Sequence, residues 1–77
     1  MDKRRTVLIV DSDDGVTDSL EYIFRKLIKG FSVLKTGNGL DGIKLAKENL
    51  IDLVILSLFI DDSVKADKII AELAKTT

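Results

Sequence analysis

Thr6 to Asp14 reads TVLIVDSDD, four consecutive apolar residues that stop in a cluster of acids. Val7, Leu8, Ile9 and Val10 leave no polar face. A run of that kind is the habit of a strand buried on both sides in a parallel sheet covered by helices. In such sheets ligands gather outside the carboxyl ends of the strands, where Asp11, Ser12, Asp13 and Asp14 stand here. A second apolar run, Leu53 to Leu56, ends in Ser57 instead of a carboxylate.

The segments between these runs carry helical spacing. Val16, Leu20, Ile23, Phe24, Leu27 and Ile28 recur at three and four, the stripe of an amphipathic helix whose face is core. Asp13 or Asp14 suits its free N–H groups, Arg25, Lys26 and Lys29 suit its other end, and Gly30 is the expected stop. Phe31 to Leu34 alternates more and predicts a partly exposed edge strand. Thr36-Gly37-Asn38-Gly39 is turn chemistry, and Leu40, Ile43 and Ala46, with Leu50 just beyond, outline a shorter helix. Val64, Ala66, Ile69, Ile70 and Leu73 outline a third. The expectation is one α/β domain over residues 1–77, with strands at about 6–10, 31–35 and 52–58 and helices at about 14–29, 39–49 and 62–75. Right-handed crossovers join them. In the order 2-1-3 the third strand is an edge with the composition of a centre, a template for another strand.

Composition closes off several classes of function. A chain of 77 residues buries only a little over ~60% of its unfolded surface, so its core is marginal. With no cysteine and no histidine, disulfides and thiol-ligated metal are excluded, along with the commonest general base. Twelve Lys and Arg against thirteen Asp and Glu argue against a nucleic-acid surface. The start, Met1 to Arg5, is too charged for a signal peptide, and no stretch approaches the ~20 apolar residues of a membrane span. The expectation is a soluble cytoplasmic protein with no nucleic-acid or membrane partner.

TVLIVDSDD, TGNGLDGIKLAKE and DLVILSLF together resemble the receiver domain of two-component response regulators, in register from about Thr6 to Leu58. The resemblance implies a flavodoxin-like fold with a parallel sheet in the order 2-1-3-4-5. It also implies a phosphoryl group accepted from a histidine kinase on an aspartate ending the third strand, with Mg²⁺ held by an acidic pair after the first. Asp11 matches the first acid of that pair, Ser12 stands where the second belongs, and Ser57 stands at the acceptor position. The Met-Pro and Asp-Gly that usually follow are replaced by Ile60-Asp61-Asp62-Ser63, and the sequence ends at Thr77 where the family's fourth strand begins. The expectation is therefore a three-layer βαβαβα half of a receiver with its chemistry dismantled: no catalytic residue, no cofactor and no metal. Mg²⁺ usually needs one or two carboxylates besides phosphate oxygens and water. Serine is a weak nucleophile without an adjacent base.

Several local features have two readings. Asp13, Asp61 and Asp62 gather with Asp11 into a weak cation pocket, or, as Asp more often does, cap the first and third helices. Gly37, Gly39 and Gly42 lack the Gly-Lys-Ser/Thr ending of a phosphate loop, and turn chemistry explains the first two better. Lys3-Arg4-Arg5 reads as solubility before a basic arm. What remains is a protein-interaction module in signal transduction, closed by a second copy across the third strands in a six-stranded sheet 2-1-3-3′-1′-2′, with Val54, Leu56, Leu58 and Phe59 at the interface. A different signalling protein supplying the missing strands is the other closure. The alternatives are an N-terminal fragment of a longer response regulator and a phosphoryl acceptor using an atypical residue.

Overall fold

Val7, Leu8, Ile9 and Val10 have no solvent exposure at all, because their strand has a neighbour on each side and helices on each face. The computed structural model describes residues 4–57 and 66–76. In it β1 (Arg5–Val10) leads to α1 (Asp14–Tyr22), which runs into a π-helical segment (Ile23–Ile28). Then come β2 (Phe31–Thr36), α2 (Gly39–Glu48), β3 (Leu53–Leu56) and α3 (Ala66–Thr76). The three strands form a parallel sheet in the order β2-β1-β3, consistent with one half of a flavodoxin-like fold. Alternation along β1 divides the core in two. Leu8 and Val10 pack with Ile43 and Ala46 of α2 and Leu73 of α3, while Val7 and Ile9 pack with Phe24 on the opposite face.

The register is pinned at both ends of β1. At its start the Arg5 N–H donates to the Gly30 carbonyl at 3.1 Å. Asp52 grips Thr6 twice, its carboxylate accepting the Thr6 N–H at 2.7 Å and its own N–H donating to the Thr6 carbonyl at 2.9 Å. At the other end the Asp11 N–H donates to Thr36 O at 3.0 Å and the Ser57 N–H to Val10 O at 2.9 Å.

The first helix departs from its expected course. An unbroken α-helix over 14–29 with all six apolar residues in the core does not form. At Ile23 it widens, and the Lys29 N–H reaches the Phe24 carbonyl five residues back at 3.1 Å, the π pattern. Phe24 stays buried, edge-to-face on Phe31 with ring centroids 5.0 Å apart. Leu27 and Ile28, past the widening, lie exposed, as does Val16 in the first turn. The buried position there is Thr17, whose hydroxyl donates to the Asp14 carbonyl at 3.1 Å, so its polar atom costs little. Gly30 ends the helix at positive φ as expected, and Lys29 before it is also positive at 66°.

α2 buries Ile43 and Ala46 but leaves Leu40 exposed, and Leu50 beyond it is 93% exposed. β3 is shorter than the expected 52–58. Its residues are exposed or half-buried, not buried on both faces, since among the described residues it is an edge strand with no strand beyond it. Residues 62–65 of the expected third helix lie outside the described residues, as do Leu58 and Phe59.

Gly42 serves neither a phosphate loop nor a turn. It lies within α2, where a Cβ would stand 2.9 Å from Val10 Cγ2, so it sets how closely α2 approaches β1. Val10 is β-branched and stiff, and cannot swing clear. Gly42→Ala therefore lowers stability by about 1–3 kcal/mol through overpacking, read as a lower urea midpoint at unchanged slope.

Candidate functional site

The carboxyl ends of all three strands meet at one end of the sheet, and the register puts Asp11, Thr36 and Ser57 there together. Two of the loop carboxylates are already at work within the chain. Asp11 Oδ1 accepts the Asp13 N–H at 2.9 Å, closing a turn on itself. Asp13 Oδ1 accepts the N–H groups of Gly15 at 2.8 Å and Val16 at 3.3 Å, which makes Asp13 the N-cap of α1. Of the two readings of Asp13, the cap is the one found. Ser12 is exposed beside them. Asp61 and Asp62 lie outside the described residues. Among the described residues no group of three or more His, Cys, Asp or Glu side chains stands where it could hold a metal ion.

The turn after β2 is built the same way. Thr36 Oγ1 accepts the Asn38 N–H at 3.2 Å, and Asn38 Oδ1 accepts the Asp41 N–H at 3.1 Å, capping α2. Reading Thr36 to Gly39 as turn chemistry missed this cap. The signal was present: Asn three residues ahead of an acid, before an apolar run. Gly37 lies close under the first loop, where a Cβ would meet the backbone of Asp11 and Ser12 at 3.4 Å.

Between α1 and β2 an open polar cleft of about 410 Å³ is lined by Asp14, Thr17, Asp18, Lys35, Thr36 and Gly37. Sequence reading gave Lys35 no role. Its ammonium is 2.6 Å from Asp18 Oδ1 and 2.8 Å from Glu21 Oε1, and Glu21 Oε2 takes the Arg25 guanidinium at 2.9 Å. Hydrogen bonds donated to Asp18 and then to Glu21 push the Lys35 pKa up to about 12. Bonds from Lys35 and then Arg25 hold the Glu21 carboxyl below its ordinary value. The cleft's cation is thus committed to two carboxylates, and the arrangement ties α1 to the outer edge of β2.

On the far side of the sheet a groove of about 360 Å³ runs between β3 and α3, lined mainly by Ile51, Leu53, Val54, Leu56, Ile70 and Leu73. Val54 and Leu56, expected at an interface, are half-buried against the α2–α3 core and also line this groove. Leu58 and Phe59, the other two expected there, are not among the described residues. No helix among the described residues is long and apolar enough to cross a membrane. Compared with models of known protein families, and separately with curated proteins, the chain matches none.

The Lys35 network gives a titration its sign. The Glu21 carboxyl is depressed when folded, so its contribution is present above the ordinary carboxylate value and is lost as pH falls through the folded value. Lys35 is raised, so its contribution is complete below its ordinary 10.5 and is lost as pH rises through about 12. Carboxyl-detected NMR should show Glu21 titrating below 4.5, and Lys35→Met should move it back up. An unmoved Glu21 would show that Lys35 does not hold it.

Proposed function

We propose that this chain is a receiver-like interaction module of the cytoplasm that takes up no phosphoryl group. It works by adding a strand to the edge of β3, most simply the β3 of a second copy. The observation that carries this reading is the difference between the two edges of the sheet. Along β2 the exposed Lys35, locked in ion pairs, guards the edge against another strand. Along β3 the edge residues are Leu53, Val54, Ile55 and Leu56, with an apolar groove beside them. A flat apolar edge without a charge is a site for strand addition.

The strand ends support the other half of the reading. Phosphoryl transfer depends on positioning and on neutralising charge at the phosphoryl oxygens. At the ends described here Asp11 is turned into a local hydrogen bond, Lys35 is held by two acids, and the acceptor position carries Ser57. The sequence has no histidine to activate that hydroxyl. The resemblance to receivers rests on the motifs of β1, α2 and β3, and a different signalling protein that supplies the added strand remains the second closure.

Two measurements test the two halves separately. Intact mass after incubation with acetyl phosphate and Mg²⁺ should show no added phosphate; a phosphorylated species ends the non-acceptor reading. Sedimentation equilibrium should show a dimer that Val54→Pro converts to a monomer with unchanged far-UV circular dichroism. Proline is tolerated on an edge where its missing N–H faces outward. A wild-type chain that stays monomeric at all concentrations ends the self-association reading.

A further inference from the structure

The outward-facing backbone groups of β3 follow from the bonds at its end. The Ser57 N–H donates to Val10 O, so Ser57 and, by the alternation of a parallel ladder, Ile55 turn their backbone groups toward β1. Val54 and Leu56 then turn theirs to the side on which no strand lies among the described residues. Four residues at ~3.3 Å each give an edge only ~13 Å long. A standard interface buries about 800 Å² per partner, far more than so short an edge supplies. A stable contact here must recruit the surfaces that flank the strand.

The flank on the α3 side has the right character. Ile70 is 53% and Leu53 40% exposed, Ala74 joins them in the groove wall, and Asp52 is the charged residue lining it. That carboxylate is occupied by the Thr6 N–H at 2.7 Å. Among the described residues the remaining lining is uncharged, so the patch can face its own image without like charges meeting, which a two-fold contact requires. Its described residues offer no unpaired charge by which to select an unlike partner.

Resting on the proposal that β3 is completed by another strand, we infer that the occupant is a second copy, related by a two-fold axis perpendicular to the sheet. The two β3 strands then run antiparallel, with Val54 and Leu56 exchanging backbone hydrogen bonds across the axis. The same axis brings both α3 helices to one face of the joined sheet, where Ile70 and Ala74 of each close the groove of the other. A parallel pairing with the sheet turned over would instead set α3 of one copy beside α1 of its partner.

The absence of cysteine from the sequence makes single-cysteine cross-linking a clean test. Oxidation of Ile70→Cys or Ala74→Cys should give a covalent dimer. Lys44→Cys, in the cleft beside β2 at the opposite edge, should not. Ile70→Lys should raise the dimer dissociation constant at least about tenfold, as charging an interface centre does, while the monomer keeps its circular dichroism. If the dimer persists, neither α3 cysteine links and Ile70→Lys changes nothing, this geometry is overturned and strand completion by another arrangement stands. Open-ended oligomers, or linking through Lys44→Cys, overturn it as well. A monomer at every concentration removes the strand-completion reading itself, and this inference with it.

Discussion

Both core clusters among the described residues are built on one strand. Val7 and Ile9 hold the α1 side, Leu8 and Val10 hold the α2–α3 side, and none of the four has any exposure. A strand apolar on both faces has a weakness, because a slip of one residue replaces one apolar set by another. Side-chain pattern alone therefore does not fix its register. Polar groups just outside the run do so: Gly30 against Arg5, Asp52 against Thr6 on both its N–H and its carbonyl, Thr36 against Asp11, and Ser57 against Val10. Asp52 is the strongest of these, a charged acceptor on a backbone N–H. The core supplies cohesion, and the strand ends supply the choice among registers.

That division of labour explains what was legible in the sequence. The order of elements, the central place of β1 and the edge position of β2 followed from runs and spacings, since burial on two faces, one face or one stripe leaves different periodicities. The Asp13 cap and the Gly30 stop were legible for the same reason, being local backbone chemistry. What was not legible depended on contacts between distant residues. Counting by threes and fours puts Val16, Leu27 and Ile28 in the core, but the π widening at Ile23 turns the last two away while Phe24 stays on Phe31. Nothing local in the sequence assigns Gly42 its role, which depends on Val10 Cγ2 lying 2.9 Å from where a Cβ would be. The pairing of Lys35 with Asp18 spans 17 residues and leaves no local signal.

The acidic loop shows how a site and a scaffold compete for the same residues. Carboxylates after a buried strand are suited to a hard cation, and equally suited to the free N–H groups where a helix begins. Asp11 and Asp13 each have an oxygen engaged by backbone. Backbone N–H groups donating to Asp11 and Asp13 are what shape this loop. The end of β3 is tied to β1 by the Ser57 N–H on the Val10 carbonyl, a backbone bond that does not depend on the side chain at that position.

The two edges of the sheet carry the argument one step further. β2 alternates, and its position 35 carries a lysine that binds Asp18 and Glu21. One charge thus serves both to hold α1 and to discourage a strand from pairing there. β3 has neither feature. Its apolar residues continue the interior pattern of β1 to the boundary of the sheet, at the cost of exposing Leu53 and half-exposing Val54, Ile55 and Leu56. A small domain with a marginal core gains most from burying surface of that kind. Because β2 carries a paired lysine and the described residues of β3 carry no charge, the strand addition proposed above has its place at β3.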